Sequence, residues 1–188
     1  MLHRLTVALG HQELVSAHAA WDDRRAEMAS WIFQGNPKRW SLDAFFEDVA
    51  ERRVGPYTVW GVGQFPEDLG ARDRVFFWRA GMGQRPGIIG VGQILGPTWD
   101  LPDSNFEYRL AARKHEFEGR RPRVPVWIES VLDTRLTEDE LRLEPTLAGL
   151  SILNRVRRGV TQFPVTAAEA ERLLELCEER GATLQAAN

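Results

Sequence analysis

The sequence predicts an α+β domain whose strands form a strongly curved sheet or small barrel. Three observations lead there. The strand-like runs are short and are interrupted by helical segments without alternating with them, unlike the pattern of a doubly wound parallel sheet. A length of 188 residues fits one ordinary core. Seven tryptophans need cover, and a curved sheet encloses ring surface that a flat one would expose.

The elements follow in order. Residues 11–29 carry Leu14, Val15, Ala19 and Met28 at helical spacing and are read as a peripheral extension over 1–29, ahead of a domain over 30–188. WIFQ (31–34) is a buried strand stopped by the turn formers of GNP (35–37). Ser41 is placed to cap a helix whose face is Leu42, Phe45, Phe46 and Val49, with Gly55-Pro56 beyond its end. YTVWGV (57–62), RVFFWRAG (74–81) and GIIGVGQIL (87–95) are strands, the last two joined as a hairpin. Gly90 and Gly92 inside a strand predict a bend or a close approach by another backbone. Residues 96–123, with Pro97, Pro102 and Pro122, are a long and partly helical excursion. A long strand follows over 124–136, and Thr137 caps a helical turn. After mixed pieces over 145–164, Thr166 and Glu169 form a capping box for a closing helix over 165–180.

The net charge of −3 argues against a globally basic surface. The excess acid is local. Residues 165–188 hold Glu169, Glu171, Glu175, Glu178 and Glu179 against Arg172 and Arg180, so the preceding 164 residues are neutral overall. Basic patches occur at Arg155, Arg157 and Arg158, and again at Arg113, Lys114, Arg120, Arg121 and Arg123. Such patches predict modest, salt-sensitive affinity for a phosphate backbone, with selectivity drawn from elsewhere.

Catalytic chemistry finds little support. Cys177 is the single cysteine, which forbids an internal disulfide and makes a cytosolic setting the expectation. His3, His11, His18 and His115 have no metal-binding spacing, and no cofactor is indicated. GVGQILG (90–96) has glycines resembling a dinucleotide fingerprint, but they lie inside a strand, the wrong context. No apolar run reaches the roughly 20 residues of a membrane span.

Three separated segments carry a family resemblance: WIFQGNPKRWSL, ARDRVFFWRAGMGQRPGIIGVGQILGP and RGVTQFPVTAAEAERLLEL. Together they resemble the opening, middle and close of EVE domains, which belong to the PUA-like superfamily with the YTH readers of methylated adenine. The resemblance covers about residues 30–178. It implies a PUA-like pseudo-barrel of about five to six strands flanked by helices, with a pocket for a flipped-out base. It also implies a non-catalytic reader, in prokaryotes often part of a restriction or defence system.

Candidate residues follow from that resemblance and from base chemistry. Trp60 lies after the first helix, where YTH domains place a cage tryptophan; a flat, electron-poor methylated base stacks on such a ring. The alternative is a core ring on a buried strand. Trp78 is a second candidate if it and Phe76 face the pocket, and Trp99 a third, because it sits in a loop-like segment. Gln34 and Asn36 carry amides that match the donors and acceptors of a base edge, although Asn before Pro is also ordinary turn chemistry. Gln64 is a weaker edge candidate. Lys38, Arg39, Arg155, Arg157 and Arg158 are candidates for the backbone phosphates. Trp31 and Trp127 are expected in the core, and Trp40 under the first helix.

The expected partner is nucleic acid with a modified base, DNA ahead of RNA. Any cleavage would fall to a partner nuclease or another effector chain or domain. A reader of modified RNA, or a small-molecule or protein interaction module on the same fold, are the competing expectations.

Overall fold

Strand alternation splits the apolar residues into two cores. In the computed structural model, which describes residues 28–81, 85–154 and 160–181, strand β1 (Ser30–Gly35) sends Trp31 and Phe33 to one side and Ile32 to the other. Strand β3 (Arg74–Arg79) repeats the division, with Val75 and Phe77 on the first side and Phe76 and Trp78 on the second. The first core packs under helix α1 (Leu42–Ala50), which buries the expected face of Leu42, Phe45, Phe46 and Val49. The second packs under helices α2 (Glu138–Leu143), α3 (Ser151–Asn154) and α4 (Ala167–Glu178).

The sheet has seven strands, one or two beyond expectation. β2 (Tyr57–Gly61), β6 (Arg121–Thr137), β4 (Gly87–Ile94), β3, β1 and β7 (Gln162–Val165) run in that spatial order, and short β5 (Trp99–Leu101) adds to the start of β6. β1 and β3 are parallel and the other pairs antiparallel. The 17 residues of β6 supply Val124, Val126 and Ile128 to the first core and Leu132 and Leu136 to the second. That exchange of faces accompanies register shifts against β4 at Ile88/Gly90 and Val91/Gly92. The two glycines are required there. A Cβ on Gly92 would stand 2.3 Å from the Trp127 carbonyl, and one on Gly90 would stand 2.7 Å from the Ser130 carbonyl.

Helix ends match the sequence reading at α2 and α4. Thr137 with Glu140, and Thr166 with Glu169, form complete capping boxes. Ser41 occupies the cap position of α1 without a side-chain hydrogen bond. The turn is tied instead through backbone, Ser41 N donating to the Tyr108 carbonyl at 2.8 Å. The helix expected over 11–29 lies outside the described residues, apart from Met28 and Ala29, which are not helical. Among the described residues no helix is long and apolar enough to cross a membrane.

The ladder does not close into a barrel. Its end strands, β2 and β7, are stitched by one side chain. The fully buried Gln162 donates from Nε2 to the Gly61 carbonyl at 2.8 Å and accepts at Oε1 from Gly63 N at 3.3 Å. Beside it, Gln64 Oε1 accepts from Thr161 N at 3.1 Å. Amide side chains thus replace a missing rung, and the gap they leave is where the concave surface opens.

Candidate nucleic-acid interface

A cavity of about 540 Å³ lies over this seam. One wall is aromatic. Trp60, on β2, and Trp40, in the turn before α1, meet edge to face with ring centroids 5.1 Å apart. Phe33, Phe45 and Phe77 hold the pair from behind at 5.5 to 5.7 Å. Contacts of this kind add about 0.5–1.5 kcal/mol each beyond burial. The lining also includes Gln34 and Asn36 at the end of β1, the Gly61–Gly63 rim, and Thr161.

The long excursion supplies the floor. An isolated bridge between Trp40 and Arg109 draws the chain around residue 109 against the β1–α1 turn. Arg109 lies between two rings, its guanidinium carbon 4.2 Å from the Trp40 ring and 4.2 Å from the Phe117 ring. The buried carboxylate of Asp103 holds it side-on, taking Nε at 2.7 Å and Nη2 at 3.2 Å. Arg123, only 3% exposed, donates to the carbonyls of Leu101, Gly119 and Phe117. Burial, the largest influence, pushes its guanidinium below the usual value; Asp103 opposes that shift, and Arg109 and Arg121 add to it. Arg39 and Arg121 stand at the exposed edge of the cavity, Arg39 paired with Glu116.

The structure sorts the residues singled out from sequence. Gln34, Asn36, Arg39 and Trp60 all line the cavity, Trp60 as a ring only 5% exposed that also packs in the first core, the alternative weighed for it from sequence. Asn36 also performs its turn role, its Oδ1 accepting from Lys38 N at 2.9 Å. Lys38 is exposed beside the cavity without lining it. Gln64 faces a second, smaller hollow with Phe65 and Phe163. Arg155, Arg157 and Arg158 lie outside the described residues.

Two expectations need correction. Trp78 is 3% exposed and packs with Ile32, Phe76 and Ile88 in the second core, because Phe77 takes the cavity-side face of β3 and its neighbours must point away. Trp99 is 51% exposed on β5 and does not line the cavity; its ring lies against Gly96 on the flank of the sheet.

The sequence reading missed Trp40, Arg109, Phe117 and Arg123 as a unit. The one available signal was Arg123, noted within a basic stretch. Of the other tryptophans, Trp31 is buried as expected, its Nε1 donating to Asp73 at 3.0 Å, whereas Trp127 is only half-buried.

Cys177 is buried, and burial pushes its thiol up to about 12, which holds it in the unreactive protonated form. Among the described residues no group of His, Cys, Asp and Glu is arranged to hold a metal ion.

Comparison with known proteins gives one family and a consistent fold. The protein-family model of the EVE domain matches residues 29–176. A solved protein of Leishmania major aligns with a TM-score of 0.59 at 20% identity, covering 82% of this chain and 98% of its own. Rpa0253 from Rhodopseudomonas palustris aligns at 0.54 and 21% identity, over 80% of this chain and 94% of its own. Human THYN1, solved in complex with DNA containing 5-methylcytosine, aligns at 0.55 and 18% identity, over 80% and 98%. A comparison with curated proteins gives no match.

Proposed function

Because this chain belongs to the EVE domain family, we propose that it binds DNA carrying a modified base and holds that base, extruded from the stack, in the cavity over the Gln162 seam. The observation that carries the reading is that one cavity gathers the paired indoles of Trp40 and Trp60, 4% and 5% exposed, with Gln34 and Asn36 in its lining. A base needs both: a ring face to stack on and a hydrogen-bonding edge to be read. The solved complex of THYN1 with 5-methylcytosine DNA lends support from the same fold.

The work divides by depth. Arg39 and Arg121 at the mouth, with Lys38 beside it, attract the flanking phosphates. Extrusion costs a few kcal/mol, less for a weakened pair, and stacking of about 1–3 kcal/mol on an aromatic wall offsets it. A methyl group covered by the wall adds about 1 kcal/mol, and an unmodified base leaves that space unfilled. Binding without turnover suits a restriction or defence setting in which a separate effector cuts.

The test is binding to duplexes identical except at one base, together with matched RNA. We expect a modified DNA base to bind at least tenfold more tightly than its unmodified parent, and Trp60→Ala to abolish that difference. Equal affinity across the DNA panel contradicts the reading, and stronger binding to modified RNA reassigns the substrate.

A further inference from the structure

Charge bookkeeping around the cavity leaves a positive surplus at depth. Five ionisable groups line it: Arg39, Arg109, Arg121, Arg123 and Glu116. Arg39 shares Glu116 with Arg113, and Arg109 is paired with Asp103 behind it. Arg121 and Arg123 donate only to carbonyl oxygens, and among the described residues neither has a carboxylate within ion-pair distance. Arg123 is nearly inaccessible, so solvent screens its charge poorly. The carboxylate that acts on Arg123, Asp103, is already paired with Arg109, so a further anion in the cavity would relieve the cost of burying two guanidinium groups beside one carboxylate.

The orientation of Arg109 adds direction to that charge. Asp103 occupies the side-on edge, Nε and Nη2, and two rings hold the guanidinium plane. Nη1 has no hydrogen bond among the described residues, and Arg109 is only 7% exposed while still lining the cavity. The end-on edge of the guanidinium is therefore a clamped fork of donors with nothing to donate to, a geometry that fits a pair of anionic oxygens.

We infer that the cavity prefers a base whose modification is an anionic, oxygen-bearing group, a carboxylated pyrimidine above a methylated one, with the carboxylate received by the free edge of Arg109 in the field of Arg123. A backbone phosphate is the other source of anionic oxygens. It is assigned to the mouth, because the charged chain on either side of it would have to be desolvated to reach the floor. The inference rests on the reading of this cavity as a base pocket and adds the charge of the modification.

The test uses the full chain and DNA duplexes with one cytosine opposite an abasic site, which makes the cost of extrusion common to all. The cytosine is unmodified, 5-methyl, 5-formyl or 5-carboxyl; the last two are close in size and differ in charge. We expect the 5-carboxyl duplex to bind about tenfold more tightly than the 5-formyl and 5-methyl duplexes, as for one added charged hydrogen bond. The double variant Asp103→Asn, Arg109→Met leaves no orphaned carboxylate and should lose this preference, the 5-carboxyl duplex falling to the affinity of the 5-formyl duplex for the same variant. If that variant does not fold, the wild-type panel decides alone. Carboxyl binding no tighter than formyl, with methyl still above unmodified cytosine, overturns the inference and leaves the base-pocket reading standing. Equal binding of all four overturns both. A carboxyl preference that survives in the double variant overturns the assignment to Arg109.

Discussion

Gln162 and Gly61 join the two ends of the sheet: the side-chain Nε2 of one donates to the carbonyl of the other at 2.8 Å, where no ladder connects β7 to β2. The same amide accepts from Gly63 N, so a single buried side chain satisfies two backbone groups on the cavity rim. One buried side chain thus serves both the joining of the sheet ends and the rim of the site, with Gln64 adding a second amide link to Thr161 N.

Gln162→Leu keeps the volume and removes both partners. It should lower stability by about 1–3 kcal/mol, since both hydrogen bonds of a buried amide are lost. Urea unfolding reads the loss, and DNA affinity should fall with it as the rim loosens.

The two-sided core separates stability from binding. Trp78→Phe empties space in the core away from the cavity and should cost about 1–3 kcal/mol in unfolding experiments while leaving DNA affinity within twofold. Loss of affinity in a folded Trp78→Phe protein would mean that the faces of β3 are misassigned.

Trp60 lies on the other side and should behave differently. Trp60→Phe keeps a stacking face and should weaken binding by less than about tenfold, whereas Trp60→Ala should cost about 1–3 kcal/mol of binding and more than that in stability. Titration of both variants at a temperature where each remains folded distinguishes the contributions.

Acid should weaken the junction of β6 and α2. Hydrogen bonds from Thr137, with help from Arg180, pull the Glu140 carboxyl down to about 2 from an ordinary 4.5. A lowered value in the folded state means that the stabilisation is complete above about 4.5 and is lost as the pH falls toward about 2. Glu140 is 43% exposed, so screening limits the effect to about 1 kcal/mol, the size of a typical cap. Urea unfolding at pH 7, 4 and 2.5 should show a shallower acid loss for Glu140→Gln than for the wild type.

Much of the fold was legible because its signals are local. Capping boxes at Thr137 and Thr166, the face of α1, and the paired glycines of β4 each follow from a few neighbouring residues. The site was legible only in part. Gln34, Asn36 and Arg39 lie next to one recognisable turn and Trp60 follows the first helix, and all four line one cavity. Trp78 was misplaced because alternation states that it opposes Phe77 without stating which face holds the cavity. Trp40, Arg109 and Phe117 were missed because their meeting depends on the bridge that folds residues 106–117 back onto the β1–α1 turn, a pairing across about 70 positions that no local pattern encodes.

Salt should reveal how few phosphates the protein grips. With Arg39 and Arg121 at the mouth and Lys38 beside it, two or three contacts predict a slope of about −2 to −3 for log affinity against log salt. A slope near zero would remove the phosphates from the interface.

Extrusion of the base can be followed with 2-aminopurine. Placed next to the modified base in a duplex, this fluorophore is quenched by stacking and brightens when its neighbour leaves the helix. Binding of the wild-type protein should raise its emission on the modified duplex, with little rise on the unmodified one. Tight binding to the modified duplex with emission unchanged would contradict the account.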